Sequence, residues 1–116
     1  DMTRSRGLGD VYKRQLNPSP EAEPYGAAKS GLNALTRSFA FALGPKVRVN
    51  AIAAGPFLTD ISKAWDMEAF EKRAQSTLAL GRGGQPEEIV GAALYLAGPG
   101  GSIPTGTVIR VDGGTR

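Results

Sequence analysis

A tyrosine and a lysine stand four residues apart in Tyr25-Gly26-Ala27-Ala28-Lys29. On an α-helix that spacing puts both side chains on one face, one turn from each other. A cation beside a phenol favours the phenolate, so such a pair can exchange a proton with a substrate oxygen near neutral pH. The lysine can also donate hydrogen bonds to neighbouring hydroxyls. Taken alone, a Tyr and a Lys at this spacing are more often two solvated residues on a helix flank. Competing chemistries are few, because the chain has neither histidine nor cysteine. That removes disulfides, thiolate nucleophiles, histidine bases and the usual zinc sites, so no metal centre is expected and Tyr, Lys, Ser, Thr and carboxylates remain.

The elements that would have to hold this pair are bounded by size and composition. At 116 residues there is room for one core. Hydrophobic residues make up 41% and charged residues 22%, too apolar for a disordered tail, and no apolar run is long enough for a membrane span. The net charge is +3, but the first fifteen residues hold Arg4, Arg6, Lys13 and Arg14 against Asp1 and Asp10. Past Gln15 the cations are dispersed among nine acids, which is not the basic face with interleaved aromatics that nucleic acid needs. No apolar stretch leads to a small-residue cleavage site, and with the missing cysteines this suits a cytoplasmic setting.

Residues 1–15 show neither a helical nor a strand period. Asp10-Val11-Tyr12-Lys13-Arg14-Gln15 resembles the translated end of a transposon used to build sequencing libraries, so 1–15 read as a non-native, assembly-derived segment and 16–116 as the folded portion. Leu16 to Glu23 is Pro-rich, and Pro24 suits the first turn of a helix. From Tyr25 to about Leu43 the apolar residues Ala28, Leu32, Leu35, Phe39 and Leu43 recur at helical spacing until Gly44-Pro45 stops the pattern. Gly26, Ala27, Ser30, Gly31 and Ala34 leave its first half lean enough for close packing. Val47 to Ala53 reads as a strand. A helical region through Trp65, Met67, Phe70 and Ala74 follows, with Asp66 as its cap. Pro86-Glu87-Glu88 opens another helix whose buried side is Ile89, Val90, Ala93, Leu94 and Ala97. Thr107 to Val111 is a second strand, closed by Asp112-Gly113-Gly114. Two strands joined by so long a crossover are expected to be parallel neighbours. Parallel sheets need several strands and helices on both faces, so the pattern reads as the later part of an α/β fold whose early strands are missing.

In chain order, Y-G-A-A-K-S, V-R-V-N-A-I-A-A-G-P-F-L-T, G-R-G-G-Q-P-E-E-I, Y-L-A, T-G and V-D-G-G resemble the C-terminal half of the short-chain dehydrogenase/reductase family, from about Pro24 to Arg116. The resemblance implies the C-terminal part of a Rossmann-like, doubly wound parallel sheet. It also implies an NAD- or NADP-dependent oxidoreductase that moves a hydride between the nicotinamide and an alcohol or carbonyl substrate. Tyr25 would be the catalytic acid/base. Lys29 would hold the nicotinamide ribose hydroxyls and assist Tyr25. The segment with Gly55, Phe57 and Thr59 would pass the nicotinamide, with the backbone at Phe57 on the carboxamide and Thr59 close to it or to the pyrophosphate, beyond the carboxyl end of a strand where open α/β sheets bind ligands. Ala54 stands where the family usually has proline, with Pro56 following the glycine instead. Asn50 reads as a strand-end hydrogen bonder, Arg82 as a loop anchor, and Trp65 with Phe70 as either lid or core.

Other family parts have no counterpart. The Gly-rich dinucleotide turn is missing, Ser5-Arg6-Gly7-Leu8-Gly9 being only an echo of its tail. The family's catalytic serine would fall at Tyr12-Lys13, and Ser19 is too near the tyrosine to replace it. This stretch by itself is therefore expected to be inactive, and the residue that chooses NAD from NADP lies outside it. The full-length protein is expected to be a homodimer or homotetramer acting on a small-molecule alcohol or ketone. A non-catalytic oligomerisation or binding module derived from the same fold is the alternative.

Overall fold

The structure, a computed structural model, describes residues 23–64 and 66–115. Residues 1–15, the Ser5 to Gly9 echo, Ser19 and Trp65 lie outside the described residues. The order is helix α1 (Glu23–Leu43), strand β1 (Ala51–Ala54), a 3₁₀ segment (Asp60–Ala64) and helix α2 (Met67–Thr77). A 3₁₀ turn (Pro86–Ile89) then runs directly into helix α3 (Val90–Ala97), and a last 3₁₀ turn (Pro99–Gly101) precedes strand β2 (Val108–Val111). The two strands pair in parallel, Ala51 beside Val108 through Ala54 beside Val111. This is the expected α/β alternation, with its crossover passing through α2 and α3.

The first strand is shorter than its β-branched stretch suggested, because Val47 N is taken by the Leu43 carbonyl at the end of α1 and what faces Arg48 to Asn50 is the irregular Pro104–Thr107 loop. Pro104 has no N–H to give and Gly106 sits at φ +72, so a regular ladder cannot form there. Side chains take over instead. Asn50 Nδ2 donates to the Pro104 carbonyl at 2.9 Å and its Oδ1 accepts from Thr107 N at 3.2 Å. Thr105 Oγ1 accepts from Val49 N at 3.2 Å, and Gly106 N donates to the Val49 carbonyl at 2.7 Å. Asn50 is thus the strand-end hydrogen bonder that its residue type suggested.

Helix α2 starts where its cap predicts: Asp66 Oδ1 accepts from Ala69 N at 3.2 Å. Helix α1 covers the expected span but buries a different face. Leu32, Leu35, Phe39 and Leu43 remain about half exposed, while Thr36 and Ala40 are buried. The reason lies at Gly106, where a Cβ would stand 3.3 Å from Ala40 Cβ, so the C-terminal half of α1 docks on this loop edge-on to its apolar stripe. Helix α3 likewise has no buried residue, and Leu94, expected inside, is 66% exposed. Ala93, Leu96 and Ala97 instead border an open groove of about 460 Å³ together with Arg48, Asn50 and Ile52. Among the described residues the buried apolar side chains are Ala40, Ala53, Pro56, Ala74 and Leu78. Apolar periodicity marks a helix that gets covered; it does not say by what. Among the described residues no helix is long and apolar enough to cross a membrane.

Candidate active site

The site is built where the chain leaves the carboxyl end of β1. Gly55 N donates to the Val111 carbonyl at 2.8 Å, so the ladder continues one residue past the strand. A Cβ on Gly55 would lie 2.5 Å from Asp112 Cα, and glycine is what lets the two strand ends run this close. Pro56 is buried, and its carbonyl accepts from Gly84 N at 2.9 Å; Leu58 N donates back to the Gly84 carbonyl at 2.8 Å. Phe57 is therefore paired in parallel with Gly84 through its two neighbours, and its own N–H and C=O point to the opposite side. Its carbonyl accepts from Thr59 N at 3.1 Å, which leaves the Phe57 amide as the outward donor. Thr59 is exposed, and its carbonyl accepts from both Ser62 N (2.9 Å) and Ser62 Oγ (2.6 Å), fixing the entry to the 3₁₀ segment.

Two further loops hold this segment. After β2, Asp112 accepts from Arg110 (2.9 Å), Gly114 N (2.9 Å) and Thr115 Oγ1 (3.1 Å), and Gly113 and Gly114 take positive φ. The Gly113 and Gly114 carbonyls then accept from Leu80 N and Ala79 N. The second loop is Gly81 to Glu88. Arg82 makes a two-pronged pair with Glu88 at 2.7 and 2.8 Å, and the same carboxylate accepts from Gln85 N at 2.7 Å. Arg82 is the loop anchor expected of it. Glu88 N in turn donates to the Gln85 carbonyl at 2.9 Å, so the two residues are bonded in both directions across the Pro86 turn. In the sequence Glu88 stands only as part of the Pro86-Glu87-Glu88 helix start. The three-residue spacing from Gln85 was the signal that could have found its second role.

These contacts hold the Glu88 carboxyl at about 2, below its usual 4.5, mainly through the Arg82 hydrogen bonds and then through Gln85 N; Glu88 in turn raises Arg82. Since the folded value lies below the unfolded one, the stabilisation is full above about 4.5 and is lost as pH falls from there through about 2. Carboxyl NMR titration of Glu88 is expected to find that low midpoint, and Arg82→Ala to move it up toward the ordinary carboxylate range. A midpoint already ordinary in the unsubstituted protein would mean the pair is not formed in solution.

The second part of the site is on α1. Lys29 Nζ stands 5.7 Å from the centroid of the Tyr25 ring, the one-turn neighbour that the sequence spacing requires. Tyr25 is 41% exposed, and a Cβ on Gly31 would meet nothing within 4 Å, so the first turns of α1 stand open. Gly55, Phe57 and Thr59 are thus brought together on one loop, and Tyr25 and Lys29 on one helix face. Among the described residues no hydrogen bond or ion pair joins the two groups. The lean residues of α1 that suggested close packing, Ala27, Ser30, Gly31 and Ala34, are exposed as well. Phe70 is half-buried, and a Cβ on Gly83 would meet its ring at 2.9 Å; it packs under the Gly81 to Glu88 loop.

Known proteins resemble this chain in sequence and in fold. The family described as enoyl-(acyl carrier protein) reductase matches residues 11–116. The chain is 43% identical over 120 residues to the 3alpha-hydroxysteroid dehydrogenase of Mediterraneibacter gnavus, covering 99% of this chain and 48% of that protein. It is 41% identical over 100 residues to the 3-oxoacyl-[acyl-carrier-protein] reductase FabG of Chlamydia trachomatis, covering 85% and 40%. The chain therefore spans less than half the length of either relative. Among solved structures, a 7 alpha-hydroxysteroid dehydrogenase complexed with NADH and 7-oxo glycochenodeoxycholic acid superposes with a TM-score of 0.78 at 30% identity, over 96% of this chain and 48% of that one.

Proposed function

The chain belongs to the short-chain dehydrogenase/reductase family, and on that premise we propose that the protein carrying it is an NAD(P)-dependent oxidoreductase acting on a small-molecule alcohol or ketone. The observation that carries the proposal is the Tyr25 and Lys29 pair, one helical turn apart on an open face. Tyr25 gives a proton to the carbonyl oxygen in reduction and takes it from the alcohol in oxidation. When bound, the nicotinamide dinucleotide supplies or accepts the hydride.

The residues present fit the nicotinamide half of such a cofactor. Gly55 lets the strand end run close to Asp112 and so sets the path of the loop, and the outward Phe57 amide is a fixed donor suited to a carboxamide oxygen. Thr59 adds an exposed hydroxyl, and Lys29 a cation with three donors for ribose hydroxyls. A relative solved with NADH supports the same reading. A cytoplasmic location, where nicotinamide dinucleotides are available, and homodimeric or homotetrameric assembly complete the proposal. The open apolar faces of α1 and α3 support assembly or coverage by more chain.

The pyrophosphate half of the cofactor asks for a Gly-rich turn that this sequence does not offer. Residues 1–116 expressed alone are therefore expected to show no NAD(P)H-dependent carbonyl reduction. The same residues placed behind the N-terminal half of a related dehydrogenase are expected to turn over, read as NADPH or NADH absorbance loss against a ketone panel. Robust turnover by residues 1–116 alone would defeat the division of labour proposed between the two halves.

A further inference from the structure

We propose that Arg82 and Glu88 are positioning residues that latch the Gly83-Gly84 segment against the Pro56 to Leu58 loop and so fix the direction of the Phe57 amide. The proposal deepens the reading given above and rests on it for the identity of the ligand. Its geometry is direct. Arg82 Nη1 reaches the Gly83 carbonyl at 3.1 Å while its fork holds Glu88, and Glu88 reaches back to Gln85 N, so both ends of Gly83-Gly84 are tied.

Between those ties, Gly84 makes both backbone bonds that bracket Phe57. A Cβ on Gly84 would lie 2.6 Å from the Phe57 ring, and one on Gly83 2.9 Å from the Phe70 ring. The glycines thus sit between two aromatic rings with no room to move sideways. Arg82 and Glu88 are about half exposed, and pairs so placed add little to global stability. Two-pronged pairs do add geometric specificity. What this pair gives is direction: without it the Gly83-Gly84 segment can slide or lift, and the Phe57 amide swings with it.

The test uses the intact protein, with Arg82→Ala and Arg82→Lys, the second keeping the charge but not the fork. Amide hydrogen exchange reads the latch itself. Leu58 and Gly84 N–H are expected to exchange at least ~10-fold faster in both variants, with the ladder amides of Ala53 and Ile109 unchanged, since local openings report separately from global unfolding. Unchanged exchange at Leu58 and Gly84 would overturn the latch whatever the protein binds. Equilibrium binding then reads its purpose, with NADH and ADP-ribose as probes. NADH affinity is expected to fall ~10-fold, about 1.4 kcal/mol, with ADP-ribose within twofold. Equal losses for both probes, or none, would overturn the positioning role. If the unsubstituted protein binds neither probe, the oxidoreductase reading fails while the exchange result still decides the latch. Should Arg82→Ala not fold, Arg82→Lys and Glu88→Gln carry the same two measurements.

Discussion

Tyr25→Phe in the intact protein is expected to lower kcat by about 10²–10⁴-fold, the usual contribution of a positioned general acid or base. NADH affinity is expected to stay within a few-fold. The change deletes one oxygen and leaves the ring over which Lys29 is placed, so the helix and the cation remain as they were. Tyr25 is exposed, and among the described residues no hydrogen bond to its hydroxyl is found, so folding stability is expected not to change. Lys29→Ala divides differently: it removes the donors assigned to the cofactor, so KM for the dinucleotide rises along with the loss in kcat. Steady-state kinetics with an independent binding titration separates the two patterns. Full activity in Tyr25→Phe would end the acid/base assignment. It would leave the fold and the family membership standing.

Gly55→Ala is the second large effect, and its origin is steric. The new methyl would be 2.5 Å from Asp112 Cα and 2.7 Å from Asp112 Cβ, distances that real Cβ atoms do not show. Neither side can yield cheaply. Gly55 N is held by the Val111 carbonyl, and Asp112 is held by Arg110, Gly114 N and Thr115 Oγ1. Overpacking of this kind costs about 1–3 kcal/mol. The expected outcome is a lower denaturant midpoint at unchanged slope, together with weaker NADH binding, because Phe57 and Thr59 follow directly on the displaced residue. A substituted protein of unaltered midpoint would show that the strand ends stand farther apart than a Gly55 Cβ position 2.5 Å from Asp112 Cα requires.

Much of this protein was legible in its residues alone. The helix at Glu23–Leu43, its stop at Gly44-Pro45, the Asp66 cap and the parallel pairing of two distant strands all follow from local rules: periodicity, capping chemistry, turn residues and crossover length. So does the neighbourhood of Tyr25 and Lys29, since four residues along one helix are always one turn apart. The roles of Arg82 as an anchor and Asn50 as a strand-end bonder were readable for the same reason, from residue type beside glycine and proline.

Other features needed the chain folded. That Arg48 to Asn50 would be stitched by side chains rather than laddered depended on a loop more than fifty residues later, with its proline and its positive-φ glycine. That α1 would bury Thr36 and Ala40 in place of its leucine stripe depended on where Gly106 came to lie. The clamp of Gly83-Gly84 on Phe57, and the carboxylate of Glu88 serving Arg82 and Gln85 together, are likewise meetings between distant segments. Sequence by itself determines what each short stretch can form and which groups one element carries. Tertiary structure decides which segments meet, because the free energy of a contact depends on shape and distance in space, and spacing along the chain encodes neither.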